Sequence, residues 1–398
     1  MNVPKLRFKE FNDEYKKYTF AELADYKKGP FGSALKKEIF VPKSENSVKV
    51  YEQQNAIKKD WTLERYFITK EYYKKLKGFT IGPGDIIVSC AGTIGEYYVL
   101  PNEAEIGVIN QALMRIITNK KVNQNYFLYI FDNMIYNFSK TFSNGSAIKN
   151  IPPFADLKKQ IAYIPTIEEQ NKVSIALKLL DKKIELQSKK IEDLKLFKSS
   201  QIINFFNKNN FAEVYIKNIG FFQSGNSLSK DCLTSSGVPI ILYGDLYTKY
   251  NEVIKKVEQY TNDNKKYIKS KQNQIIFPTS TTVNSLSLIS PSSINLGGII
   301  YGGDILILNL NKDVNADFLS YEINHYKKKE FSKIAQGSTI IHIHAEDLLN
   351  CKIALPNIVL QDKFALTFNK LNQKIELENN KLNKLQKLKK GLMQSMFV

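Results

Sequence analysis

The sequence predicts an α+β protein made by tandem duplication: a globular α/β part, a long helix, then both again. Three observations predict it. In residues 166–206 helix formers dominate, and neither Pro nor Gly occurs between Lys172 and Gln201. Residues 357–397 repeat this stretch at an offset of 191, and Lys183-Ile184-Glu185-Leu186 returns unchanged as Lys374-Ile375-Glu376-Leu377. The text before each helix gives strand, turn and helix signals in the same order, ending at Pro165 and Pro356. The expected organisation is two globular domains, 1–165 and 207–356, and two helices, 166–206 and 357–398.

Each helix carries a coiled-coil seam. Leu177, Leu180, Ile184, Ile191 and Leu194 recur at three- and four-residue spacing, and Phe368, Leu371, Ile375, Leu382 and Leu385 fill the same phases. Gln187 and Glu378 interrupt the two seams at the same place, and a polar seam position can fix register.

In the first module, Phe20, Leu23 and Tyr26 lead to a Gly-Pro-Phe-Gly loop at Gly29. Apolar and β-branched runs predict strands at 39–42, 48–51, 86–89, 97–100 and 112–118, and Ile161 to Ile164 leads into Pro165. Turns are expected at 82–85 and 91–95, and mixed loop and helix at 59–77. Tyr126, Phe127, Ile130, Met134 and Ile135 have helical spacing, and Gly145-Ser146 opens a loop. The second module parallels this with strands at 215–219, 240–243, 274–277 and 304–309, and a turn at 279–282. Val314 to Leu319 matches Val122 to Phe127, and Gly337-Ser338-Thr339-Ile340 matches Gly145-Ser146-Ala147-Ile148.

With 398 residues and 43% hydrophobic content, the chain has ample material for packed cores. No apolar run approaches the ~20 residues that span a bilayer, and the charged N-terminus lacks a signal-peptide core. Cys90, Cys232 and Cys351 are far apart and make no zinc spacing. A cytoplasmic, reduced, metal-free protein is expected. The net charge of +18 favours a polyanionic partner such as double-stranded DNA. The excess is spread along the chain: 25 basic against 17 acidic residues in 1–165, and 16 against 13 in 207–356.

Catalytic signatures are absent. Ile151-Pro152-Pro153-Phe154 approaches the motif of DNA amino-methyltransferases, but Ile151 cannot accept a hydrogen bond from an amine. There is no P-loop, no Rossmann glycine pattern after a strand, and no acid-x-Lys following Asp85. His342 and His344 make a His-x-His without a third ligand, which reads as an ordinary surface pair. The chain therefore reads as a binding protein with no catalytic or metal residues. Amide, hydroxyl and cationic groups on loops are those that reach base edges and phosphates. They gather at Gln53, Gln54, Asn55, Lys58 and Lys59 in the first module. In the second they gather at Tyr243, Asp245 and Tyr247, and at Thr279, Ser280, Thr281 and Thr282.

Several strings, in order, carry a resemblance. They are Val3-Pro4-Lys5-Leu6-Arg7-Phe8 with Phe11, Gly84-Asp85-Ile86-Ile87, Gly92-Thr93-Ile94-Gly95, Gly145-Ser146, Ile164-Pro165 with Glu169-Gln170, and Tyr243-Gly244-Asp245-Leu246-Tyr247. Together with the duplicated helix, they resemble the specificity (S) subunit of type I restriction-modification systems over essentially the whole chain. The second copy departs at Leu360-Gln361, which replaces Glu169-Gln170. The resemblance implies two target-recognition domains, each reading half of a bipartite target in double-stranded DNA. It implies that the helices pack antiparallel with pseudo-two-fold symmetry, set the gap and dock two modification subunits, which restriction subunits join. S-adenosylmethionine, ATP and Mg are expected on those partners, with no cofactor in this chain. The competing reading is a non-DNA coiled-coil adaptor with two binding heads, which would show no salt-dependent duplex binding.

Overall fold

The two halves of the chain fold around matching sheets in the computed structural model, which describes residues 3–142, 154–262 and 266–398. The chain divides into two units, residues 1–185 with 383–398, and residues 186–382.

In the first unit, strands Lys16–Thr19 and Ile161–Ile164 pair antiparallel and bracket the globular part. Inside it, Ala24–Lys28, Leu113–Thr118, Ile86–Ser89 and Tyr97–Val99 form one antiparallel sheet in that order. A second sheet runs Tyr66–Thr69, Ser47–Tyr51, Gly107–Ile109, Thr80–Ile81. Ser47–Tyr51 and Gly107–Ile109 lie parallel. The helix Gln124–Phe142 lays Tyr126, Phe127, Ile130, Phe131 and Met134 on the first sheet. Val173 and Leu177 of one long helix, Met396 at the end of the other and Phe397 just after it join the same core.

The second unit repeats this plan. Glu213–Tyr215 and Lys352–Ala354 bracket it. Gly220–Ser224, Ile305–Leu310, Gln274–Pro278, Ser292–Ile294 and Val253–Ile254 form the main sheet. Ile240 and Ile241 lie parallel to Ile300 and Tyr301, as Val50 and Tyr51 lie to Val108 and Ile109. Ile86 pairs with Ile116, and Ile275 pairs with Leu308, so the central register is shared.

Several expected elements differ. Residues 39–42 are not a strand; a 3-10 turn covers Lys37–Ile39 and only Val41 bridges to Phe67. Tyr66–Thr69 and Gly107–Ile109 are strands that the text did not announce. The expected strand at 215–219 is the end of one strand and the 3-10 turn Ile216–Asn218. The hydroxyl turn contains a strand, Ser280–Thr281, paired with Ile341–His342. The Gly145-Ser146-Ala147-Ile148 repeat and the Ile151-Pro152-Pro153 motif lie outside the described residues.

The long helices run Ile167–Lys208 and Ile358–Met396. Glu168 and Glu169 place negative charge in the first turn of one, where the helix dipole favours it. Within the second unit the two run antiparallel: Gln187 meets Glu378, Lys198 meets Asn372, and Phe206 meets Phe364. Leu177, Ile191, Phe368, Ile375 and Glu378 are buried. Leu180, Ile184, Gln187, Leu194, Leu371, Leu382 and Leu385 are half-buried. Gln187 Nε2 donates to Glu378 Oε2 at 2.7 Å, while Lys190 and Lys381 reach Oε1 at 3.0 and 3.1 Å. The Gln187 hydrogen bond and then the two lysines hold the Glu378 carboxyl down to about 2.

Candidate nucleic-acid interface

Each globular part is fastened to its own long helix by the same device. In the first unit, Gln170 Oε1 accepts from the Asn123 amide at 2.7 Å, and its Nε2 donates to the Pro165 carbonyl at 2.9 Å. In the second, Gln361 accepts from the Asn315 amide at 2.9 Å and donates to the Pro356 carbonyl at 2.8 Å. Both glutamines are buried. Leu360 replaces Glu169 without cost to this anchor, because Glu169 serves a separate cluster with Arg7 (2.7 Å) and Tyr15 (2.9 Å).

A second fastening sits 11 residues, about three helical turns, further along each long helix. In the first unit, Tyr129 Oη donates to Asp181 at 2.8 Å, and Lys389 lies 2.6 Å from the same carboxylate. Their counterparts in the second are Tyr321, Asn372 and Lys198: Asn372 donates to Tyr321 Oη at 2.7 Å, and Lys198 donates to Asn372 at 2.9 Å. Asn372 carries no charge, and the buried Glu252 supplies it, 2.7 Å from Lys198 and 2.6 Å from His325. Loops carried by the two sheets are thus held on a fixed frame.

The first unit presents Gln53, Gln54 and Asn55 on the short helix Gln53–Ile57. Asn55 is a correction. It is buried, its Nδ2 donates to the Asp60 and Leu63 carbonyls, and its Oδ1 accepts from the Glu52 amide. Both its donors and one acceptor site go to shaping the loop, and its burial keeps it from base edges, so it positions Lys58 and Lys59. Gln53 is half-buried and Gln54, Lys58 and Lys59 are exposed. Lys59 has a left-handed backbone (φ 52), and its Nζ lies 5.9 Å from the Tyr97 ring centroid. Lys49 also pins this loop, through the Trp61 carbonyl and the faces of Tyr51 and Trp61. Burial lowers its pKa, and the carboxylates of Glu64 and Glu105 work against that shift.

In the second unit, Tyr243 and Thr279 line one hollow of about 890 Å³, with Ser224, Lys230 and Asp304. Thr279 and Ser224 also line an adjoining hollow of about 510 Å³ with His342, His344 and Glu346. The two hollows share these walls and form one trench. Asp245 is a second correction: it is buried, accepts from the Leu242 amide at 3.0 Å and pairs with Lys249 at 2.9 Å. Thr281 is buried as well, and its hydroxyl accepts from the Val283 amide. Tyr247 is half-buried and donates to the Ser280 carbonyl at 2.8 Å, bracing the hydroxyl segment. Ser280 is half-buried within that segment, and Thr282 is exposed beside it. The sequence set His342 and His344 aside as an ordinary surface pair. Strand pairing of Ser280 with His342 brings them to the trench, a link across some sixty residues that no local pattern carries.

One glycine in each module shows why the trench-side loop needs that residue. A Cβ at Gly29 would collide with the Asn110 carbonyl, and one at Gly225 with the Gly302 carbonyl. The amides match too: Gly29 N donates to Leu113 O and Gly225 N to Ile305 O, both at 2.9 Å.

Comparison with known proteins agrees with the duplication. The family described as type I restriction modification DNA specificity domain matches twice, over residues 12–196 and 208–387. The type I restriction enzyme MjaVIII specificity subunit of Methanocaldococcus jannaschii is 22% identical over 352 residues, covering 80% of this chain and 79% of that protein. The S subunit of the type I restriction-modification system of M. genitalium superposes over 100% of this chain and 99% of that one, with TM-score 0.57 and 17% identity. A chain from a structure of type I R-M complex assembly and conformational transition gives TM-score 0.58 at 13% identity, covering 96% and 97%.

Proposed function

Since the chain belongs to the type I restriction-modification DNA specificity family, we propose that each of its globular modules reads one half of a bipartite duplex sequence while the long helices set the gap. It is the recognition subunit of such a system and not its catalyst. The observation that carries this is the family match falling separately on both halves, each with its own pair of sheets and its own glutamine anchor. Different loops on equivalent frames support half-sites that differ in sequence.

The same reading gives the helices a second task, docking two modification subunits that restriction subunits join. Exposed apolar side chains support it: Ile175 and Leu179 in the first unit, and Leu186, Phe197, Leu366 and Leu377 in the second. Ile175, Leu186 and Phe197 are spaced by 11 residues, three helical turns, which keeps them on one face of their helix. Lys182, Lys189 and Glu192 are exposed on the same helix. S-adenosylmethionine, ATP and Mg reside on the partners in this reading, and the complex works in the cytoplasm. No described helix is long and apolar enough to cross a membrane.

Methylome sequencing of cells carrying this chain with a modification subunit tests the proposal. A split motif with adenine methylated in both halves is expected. Methylation at an unsplit site, or none that depends on this chain, would overturn it.

A further inference from the structure

We propose that Phe31 is a base-stacking residue of the first module, engaging the face of an unstacked base step in its half-site; the inference rests on the DNA-reading function above. Phe31 is 89% exposed, while its neighbour Pro30 is buried. Single exposed apolar residues are ordinary on protein surfaces. What sets Phe31 apart is how firmly its backbone is held. Gly29 is locked against the Asn110 carbonyl and hydrogen-bonded to Leu113. Proline fixes the next φ. After the ring, Ala34 N donates to Phe31 O at 2.8 Å, Leu35 N donates to Gly32 O at 3.2 Å, and Tyr72 Oη holds the Ala34 carbonyl at 3.0 Å. Leu35 is buried and completes the clamp. An aromatic ring presented on a backbone this constrained loses little entropy when it docks.

Charge names the occupant. The four charged residues nearest the ring along the chain are Lys27, Lys28, Lys36 and Lys37, all exposed, with Asp25 and Glu38 just beyond them and the Lys27 ammonium over the Phe79 ring. An exposed apolar ring whose nearest charged neighbours along the chain are lysines fits a partner with phosphates outside and flat apolar faces within, which is duplex DNA at an opened step. A protein partner would have to be acidic around an aromatic-sized pocket. The second module holds the equivalent loop by the same glycine but offers Asn226 and Ser227 where the first offers Pro30 and Phe31. Asn226 is spent on the Ile268 and Tyr301 carbonyls. Stacking therefore belongs to one half-site only, and flexible pyrimidine–purine steps are favoured there.

The test uses the full-length chain with its modification subunit on duplexes carrying the methylome-defined target, with 2-aminopurine walked through both half-sites. Wild type should brighten the probe at one step of one half-site. Phe31→Ala should abolish that signal and weaken binding of the target roughly 5- to 150-fold, while Phe31→Trp retains both. Random duplex should bind the alanine variant within about threefold of wild type, since phosphate contacts remain. Equal target affinity and an unchanged probe signal for Phe31→Ala would overturn the proposal. So would a loss confined to modification-subunit binding, which would place the ring in a protein interface. Failure of the wild type itself to bind duplex would instead sink the DNA reading on which the proposal stands.

Discussion

Glu322 lies wholly inside the second unit, where one carboxyl oxygen accepts from the Ala354 amide at 2.6 Å and the other has no partner among the described residues. Burial lifts its pKa to about 8, and Lys327 does not offset this because Glu213 and Glu330 already claim that lysine. The folded state therefore binds a proton that the unfolded chain releases near pH 4.5. Stability of the second unit should fall by about 1.4 kcal/mol per pH unit between those limits, then level off above about 8. Glu322→Gln keeps the shape and the acceptor and cannot ionise. Thermal melting of this variant should lose that slope, and melting curves parallel to wild type across the range would refute the assignment. The buried glutamines make a sharper case. Gln170→Ala or Gln361→Ala strands a buried amide and carbonyls, each costing about 1–3 kcal/mol. Melting should therefore drop for the unit carrying the change, and unchanged melting would remove the anchor's structural role.

The seam shows what an element can specify that a residue cannot. Gln187 and Glu378 occupy equivalent places in the two repeats and bond to each other. In an antiparallel pair of copied helices, like meets like only at the midpoint, so this bond marks one register. Glu378→Leu alone would strand the Gln187 amide in the seam, the exposed Lys190 and Lys381 turning to solvent, while the double change Gln187→Leu with Glu378→Leu would restore an apolar seam. The double variant should melt above the single one and lose the acid sensitivity that the low Glu378 pKa creates. That stability is present above about pH 4.5 and is lost as pH falls toward 2. Equal acid sensitivity in wild type and double variant would refute the pairing. Such helices are legible in sequence because their period is local and uninterrupted. Ile86–Ser89 and Gln274–Pro278 were equally legible as buried runs. Gly107–Ile109 was not, because three residues become a strand only by lying beside Ser47–Tyr51. Residues 39–42 misled for the opposite reason. Phe40 is apolar because it stacks on Tyr66 at 4.2 Å, not because it joins a ladder. Asn55 and Asp245 carried the right chemistry for bases, but the backbone around them consumes it.

At the scale of the whole molecule, the +18 charge and the duplicated frame make separable predictions. Charge governs how tightly any duplex is held, and binding of random DNA should weaken steeply with salt. In the proposed reading the helices govern only where the half-sites lie. Seven residues added to each helix, facing one another beside Gln187 and Glu378, keep the 3-4 seam in phase, whereas a four-residue insertion would break it. At 1.5 Å per residue the addition is about 10 Å, or roughly three base pairs at 3.4 Å each. Methylome sequencing should then return the same two half-site sequences with a longer gap. The new separation also rotates the half-sites about the DNA axis, so binding should be weaker than wild type on its own target. Altered half-site sequences at the old gap would mean that the helices do not measure distance and that recognition depends on contacts across the seam.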